Sequence, residues 1–289
     1  NALRGHANVQ GLTDIGLLTT AIPGYLAMPI ESEPTLESHL AKRAFKPEPN
    51  QISFWQNYRK FFVSFLKSFY GNKATAENNF GYDSYTKIDV AYDTLHIFEA
   101  MHQGRTNGLI CQGYNPLMAV SHKAKNLAAL SKLKYLVSID PLETETARFW
   151  ENHGEYNSTD PSKIQTEVFM LPATTFAEEE GSYTNSSRAI NWKWKGPDAP
   201  GEARTDTVIV AELFNRLRKL YEKEGGAGAQ PFLSVSWNYK NPMAPTADEL
   251  LRELNGRALK DLADATGKVT RAAGAQLASF AEMRDDGST

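Results

Sequence analysis

Cysteine is nearly missing from this chain: Cys111 is the only one in 289 residues. A lone thiol excludes an internal disulfide framework, a cysteine-type zinc site and an iron–sulfur cluster held within the chain. Its setting, "GLICQG", is apolar and strand-like, which reads as a small buried hydrophobe rather than a nucleophile. Histidine is scarce too. None of the six (His6, His39, His96, His102, His122, His153) falls in HExxH or another metal-ligand spacing, so no metal ligand is expected here. GxGxxG, GxxxxGKS/T and GxSxG are all absent, which removes the dinucleotide fingerprint, the P-loop and the serine nucleophile elbow. Excess charge is lacking as well: the net charge is -3 and the pI about 6.1. Neither nucleic acid nor an anionic membrane surface would find an electrostatic footprint. No run of about 18 apolar residues occurs, so no segment reads as inserting into a membrane.

What is present describes a globular α/β chain, 41% hydrophobic and 22% charged. Residues 1–89 read as a helical lead-in. A short helix in "TDIGLLTTAIPGYL" would be capped by Thr13 or Asp14, and a second lies in "EPTLESHLAKRAFKPEP". Phe54, Tyr58, Phe61, Phe62, Phe65, Leu66 and Phe69 then recur at helical spacing before Gly71. Residues 90–175 change rhythm: "NGLICQG", "KYLVSID" and "TEVFMLP" are short strands. They alternate with helices in "YDTLHIFEAMHQG", "PLMAVSHKAKNLAALSKL" and "LETETARFWENHG", a pattern that implies parallel strands with crossover helices. Residues 176–289 read as a loop-rich and helical completion. Helices are expected after Thr205 or Asp206 and, with a capping box, from Thr246 to Glu249; the tail suggests a hairpin or extended segment.

In an open parallel sheet, ligands bind outside the carboxyl ends of the strands. Two such ends carry suitable groups. In "CQGYNP", Gly113 leaves room for a phosphate or sugar at its backbone, and Asn115 can donate or accept beside it. In "SIDPLETET", Asp140 would offer a carboxylate to the adjacent N–H and NH₂ of a guanine, or to a ribose hydroxyl. Thr144 and Thr146 place hydroxyls near the next helix start. An Asp-Pro turn and a Thr144 cap account for the same residues without a ligand. The loop holding Glu178, Glu179, Glu180, Asn185 and Arg188 is either a solvated face or a ligand-lining loop.

Longer blocks carry a resemblance. "LRGHANVQGLTDIGLL", "PGYL", "KATAEN", "ICQGYNP", "LSKLKYLVSIDPLETETARFW", "SKIQTEVFMLPATTFAEEEGSYTNSSR", "WKGPDAPG" and "SFAEMRDDGST" resemble the large subunit of respiratory formate dehydrogenases, from the first residue to the last. Those subunits belong to the molybdenum or tungsten bis-pterin oxidoreductases. The resemblance implies an internal fragment, residues 1–289 forming one α/β domain of αβα three-layer type with a mostly parallel sheet, extra helices and long polar loops. It implies that this domain helps bind the guanosine end of one bis-molybdopterin guanine dinucleotide. The cysteine or selenocysteine metal ligand, the 4Fe-4S cluster and the first stretch of the domain would lie outside this chain.

Residue by residue, the resemblance puts the arginine near metal and formate on Arg4. His6 stands where some members have glutamine. Gly113, Asn115 and Asp140 fall on the guanosine and phosphate site, and Thr144 is a weaker transfer. The reaction implied is oxidation of formate to carbon dioxide, with electrons leaving through an iron–sulfur subunit and a membrane cytochrome subunit in a periplasmic parent enzyme. The fragment alone is expected to be inactive. Two other readings stay open: a nucleotide- or cofactor-binding α/β module without catalysis, and an interaction domain that docks a subunit.

Overall fold

The computed structural model describes residues 8–18, 20–51, 53–90, 92–151 and 157–289. Their elements run, in chain order, α1 (Val9–Asp14), β1 (Ala21–Ile22), β2 (Leu26–Ala27), α2 (Leu36–Ala41), α3 (Tyr58–Tyr70) and α4 (Thr94–His102). Next come β3 (Gly108–Gln112), α5 (Pro116–Ala119), α6 (Lys123–Leu130), β4 (Tyr135–Asp140), β5 (Glu167–Pro172), β6 (Gly181–Thr184) and β7 (Ile190–Lys193). The order closes with α7 (Asp206–Glu224), α8 (Ala229–Ser234), α9 (Ala247–Leu254), β8 (Leu262–Ala263) and β9 (Val269–Arg271). Contacts divide them into two units. One gathers the described residues up to 90 with 182–191 and 210–289; the other holds those of 92–181 with 192–209.

The first unit is built on α3. Its aromatic spacing puts Tyr58, Phe61, Phe62, Leu66 and Tyr70 on one buried face, and Gly71 ends the helix at φ +57. That face packs on Ile22, Leu26, Leu36, Phe80, Tyr82 and Met283. Phe62 and Leu66 are wholly inaccessible, and burying each such side chain stabilises by about 1.5–3 kcal/mol. Helix α2 lies within the stretch expected to be helical, and Thr35 and Ser38 cap one another at its start.

A carboxylate, an imidazole and a guanidinium meet at this apolar core. Glu33 Oε2 lies 2.7 Å from His39 Nδ1 and 2.7 Å from Arg43 NH1, and His39 Nε2 lies 3.0 Å from the Tyr58 hydroxyl. The Ala27 amide donates to that hydroxyl at 3.1 Å, so Tyr58 O–H is left to donate to Nε2. The imidazole is then neutral, with its proton on Nδ1 facing Glu33. Burial, with the charge of Arg43 next, depresses His39 to about 4. Burial alone would raise the Glu33 carboxyl, but its bonds to Arg43, His39 and Lys42 outweigh that and hold it below the ordinary range.

The second unit is α/β, as the alternation implies. Strands β3, β4 and β5 form a three-stranded parallel sheet in that order. Register places Leu109, Leu136 and Val168 in one row and Ile110, Val137 and Phe169 in the next, which points to the opposite face. The first face is covered: Cys111 and Leu136 pack with Phe98 and Met101 of α4 and Leu127 and Leu130 of α6. Cys111 is the buried hydrophobe the sequence suggests, its thiol pushed up to about 11 by burial. Much of the other face is open, with Ile110 at 56%, Tyr135 at 50%, Phe169 at 43% and Leu171 at 42% exposure, although Ile139 on it is buried.

Several local expectations are overturned. Thr13 and Asp14 end α1 rather than start a helix: the Thr13 hydroxyl turns back onto the Val9 carbonyl at 2.8 Å, and Gly16 follows at φ +77. The single helix expected over "PLMAVSHKAKNLAALSKL" breaks into α5 and α6. There Val120 is extended, His122 has φ +72, and the Asn126 amide takes the Val120 and Ser121 carbonyls at 3.3 and 3.0 Å. Residues 145–150 form turns instead of a helix. The stretch read as a polar loop from 176 carries the short β6–β7 sheet. Among the described residues no helix is long and apolar enough to cross a membrane.

Candidate functional site

The carboxyl ends of β3 and β4 lie side by side, because Gln112 pairs with Ile139 in the parallel register. Gly113 continues that ladder by donating to the Ile139 carbonyl at 2.8 Å and then turns at φ +57. No atom lies within 4 Å of where its Cβ would be. Glycine is therefore required by the backbone turn, and the turn is open to approach.

Asn115 is placed differently from its expected role. Its amide donates to Glu145 Oε2 at 2.6 Å, and its carbonyl oxygen accepts from the Thr146 hydroxyl at 2.7 Å and the Thr146 amide at 3.3 Å. Thr146 Oγ1 in turn accepts from the Leu117 amide at 3.0 Å. Thr146 is wholly buried. The side chain of Asn115 thus fastens the loop after β3 to the loop after β4, and a ligand would meet that edge through neighbouring groups. The spacing alone does not single out Thr146 as the buried joint, because a buried threonine and an exposed one look alike in a polar run.

Asp140 stands at the tip of β4, half-buried. Its Oδ1 accepts from the Leu142 amide at 3.1 Å, and among the described residues its other oxygen accepts no hydrogen bond. One oxygen thus fixes the Asp-Pro turn while the other is presented outward. Thr144 acts as a cap: its hydroxyl accepts from the Ala147 amide at 3.3 Å, and its carbonyl from the Arg148 amide at 3.2 Å. An open cleft of about 560 Å³ lies over the α5–α6 break, lined by residues 118–124.

Further along, the Glu178-to-Arg188 loop is divided between the two units. Glu178 is a cap, accepting from the Thr175 amide at 2.8 Å. Burial, then the charge of Asp206, raises the Glu179 carboxyl; Lys193 and the Thr174 hydroxyl act against this. That hydroxyl is buried and makes no hydrogen bond of full geometry. Asn185 closes the β6–β7 turn, accepting from Ser187 and Ala189 at 3.1 Å each. Arg4 and His6 lie outside the described residues. Among the described residues no three His, Cys, Asp or Glu side chains are grouped to hold a metal ion.

No family model matches the chain. It is 53% identical, over its whole length, to the nitrate-inducible formate dehydrogenase major subunit of Escherichia coli K12. It is 48% identical, again throughout, to the formate dehydrogenase major subunit of Haemophilus influenzae. A formate dehydrogenase 2 subunit alpha of Nitratidesulfovibrio vulgaris, named for cytochrome c-553, is 35% identical across all of it. These matches take up 29%, 28% and 28% of the three relatives' own lengths. By its sequence the chain belongs with the formate dehydrogenase major and alpha subunits, of which it spans little more than a quarter.

Proposed function

We propose that the chain is the part of a formate dehydrogenase catalytic subunit that receives the guanosine and phosphate end of a bis-molybdopterin guanine dinucleotide. The observation that carries this reading is the pairing of an unobstructed Gly113 turn with an Asp140 oxygen that has no bond within the described residues. A carboxylate so presented can accept from N1–H and N2–H₂ of guanine together. The Gly113 backbone admits a phosphate or ribose where any side chain would intrude. Asn115, Thr146 and Glu145 hold the two loops in register around it.

In the parent enzyme the metal carried by that cofactor supplies the two-electron oxidation of formate to carbon dioxide. The protein's share is binding, orientation and electrostatics. Arg4 is assigned to the carboxylate of formate, which a guanidinium holds by two parallel hydrogen bonds. His6 is assigned to the same loop. In the intact, periplasmic enzyme a 4Fe-4S cluster and an iron–sulfur subunit would supply the path for electrons to a membrane cytochrome subunit. The open sheet face supports the fragment reading, since parallel sheets are ordinarily covered on both sides. The isolated chain is accordingly inactive.

The test is Asp140→Asn in the full-length subunit. Guanine released by acid hydrolysis and metal by mass spectrometry are measured per mole of purified protein. Losing one of two charge-assisted bonds should lower cofactor retention after dialysis by roughly tenfold. Full retention of both cofactors would overturn the assignment of Asp140.

A further inference from the structure

The first unit carries a helix whose apolar surface its own residues do not use up. From Val210 onward α7 belongs to that unit. The helix has 19 residues, and Ala211 is its one buried residue. One side of it is covered by the segment that follows. Phe214 lies 4.5 Å from Trp237 and 5.9 Å from Phe232, ring centre to ring centre, and Tyr221 lies 5.0 Å from Phe232. Asn215 and Arg218 hold the same segment, donating to the Pro242 carbonyl at 2.9 Å and the Val235 carbonyl at 3.2 Å.

The neighbouring arc of α7 is apolar as well and is left largely in water. Val210, Leu213, Leu217 and Leu220 recur at steps of three, four and three, which makes one continuous seam about three turns, or 16 Å, long. Val210, Leu213 and Leu220 are exposed, Leu220 by 51%, and Leu217 is half-buried. In heptad terms Val210 and Leu217 stand at a, and Leu213 and Leu220 at d. Phe214 and Tyr221 then stand at e, and Arg216 and Lys223 at g. The apolar face of α7 is therefore wider than the segment that covers it.

The free edge of the seam shows what would fit it. Arg216 and Lys223 line that edge with Lys219 beyond them, and Glu224 ends the seam. Arg216 is loosely paired with Glu212 at 3.6 Å; among the described residues Lys219 and Lys223 make no ion pair. Cations beside an apolar seam are complemented by a helix with apolar residues at the same spacing and carboxylates along one edge. A second copy does not supply this. In an antiparallel pair g faces g, which sets Arg216 and Lys223 against their own copies. In a parallel pair g faces e, and both e positions are already taken up by Phe232 and Trp237. An anionic membrane is repelled by the chain's net charge of -3. A short seam with an ionised edge can also stand in water when empty, which suits an occupant that comes and goes. We propose that Val210, Leu213, Leu217 and Leu220, with Arg216 and Lys223, dock an acidic amphipathic helix of a separate protein chain.

The experiment uses the full-length subunit, purified without other chains, and a fluorescent helical peptide of about three heptads with leucine at a and d and glutamate at e and g. Fluorescence anisotropy should show the peptide binding. Leu213→Ser with Leu220→Ser should weaken it roughly tenfold, and so should Arg216→Glu with Lys223→Glu. The charge-reversed subunit should instead take a peptide with lysine in place of glutamate. The four substituted positions lie at the surface or its edge, so the melting temperature should not move. Equal binding of the two peptides by the unaltered subunit would overturn the proposal, since any apolar patch would do that. No binding would overturn it too. In that case a Leu220→Cys thiol shielded from maleimide assigns the seam to the rest of the subunit, and self-association lost in the Leu213→Ser, Leu220→Ser variant assigns it to a second copy. Binding to phosphatidylglycerol vesicles in place of the peptide would make it a membrane contact and overturn the proposal likewise.

Discussion

The two units solve the problem of burying apolar surface in opposite ways. The α3 unit closes on itself: Phe62, Val63, Leu66 and Tyr82 are wholly inaccessible, and a carboxylate and an imidazole are sealed in beside them, with the half-buried Arg43 guanidinium against the carboxylate. The sheet unit covers one face with α4 and α6 and leaves Ile110, Tyr135, Phe169 and Leu171 exposed on the other. Phe62 and Phe169 are the same residue type in opposite circumstances, inside a finished core and on an unfinished one. The difference teaches where this chain is self-sufficient. A closed core with buried charge is specified by its own residues, whereas an open parallel sheet depends on something further to cover it.

The largest expected effect breaks the closed side. Phe62→Ala should cost about 3–5 kcal/mol, because the wholly buried ring centre lies 4.3 Å from that of His39, tilted against it, and about 6 Å from those of Tyr58, Phe65 and Tyr82. Hydrogen exchange should show protection lost across α2 and α3 and retained in β3, β4 and α6. Equal loss in both regions would mean the units are not separate in stability.

An intermediate effect comes from acid, and it too should be confined to the α3 unit. The unfolded His39 takes up a proton near its ordinary 6.5, the folded one only near 4, so the unfolded chain binds more protons in between. Stability is therefore complete above pH 6.5 and falls as the pH drops towards 4, by on the order of 2–3 kcal/mol. Glu33, held low by its partners, adds loss of the same sign at still lower pH. Urea titrations at pH 7 and pH 5 read the slope, and His39→Gln should flatten it. A slope unchanged in that variant would remove His39 as its source.

The smallest effect sharpens the open side. Ile110→Lys and Phe169→Lys should change the stability of this chain by less than about 0.5 kcal/mol, as exposed sites do. In the full-length subunit the same changes should lower stability by several kcal/mol, as an unpaired buried charge does. Melting curves of both proteins make the comparison. Equal, small shifts in both would show that the face stays open in the intact subunit.

Periodicity and punctuation made much of this legible. Thr246 heads a helix as a capping box, Gly71 stops α3, and the three strands after residue 90 pair in parallel. What was illegible depends on pairs distant in sequence. The break at Val120–His122 needs Asn126 to claim two carbonyls, and the turns at 145–150 accompany the Thr146–Asn115 bond. The first unit collects stretches from 8–90, 182–191 and 210–289, and no window along the chain reveals that. At the strand ends, Gly113 and Asp140 were legible as open groups. Asn115 looked like a third, because composition cannot show that both halves of its amide are already engaged.

That engaged amide has a consequence for how the protein ages. An asparagine deamidates when the following backbone nitrogen attacks its side chain, and Asn115 is followed by Pro116, whose nitrogen carries no hydrogen. The side chain is also held away from rotation by Glu145 on one side and Thr146 on the other. The fastening between the two strand-end loops is thus closed to the cyclisation route that would turn it into an aspartate and set a second negative charge against Glu145.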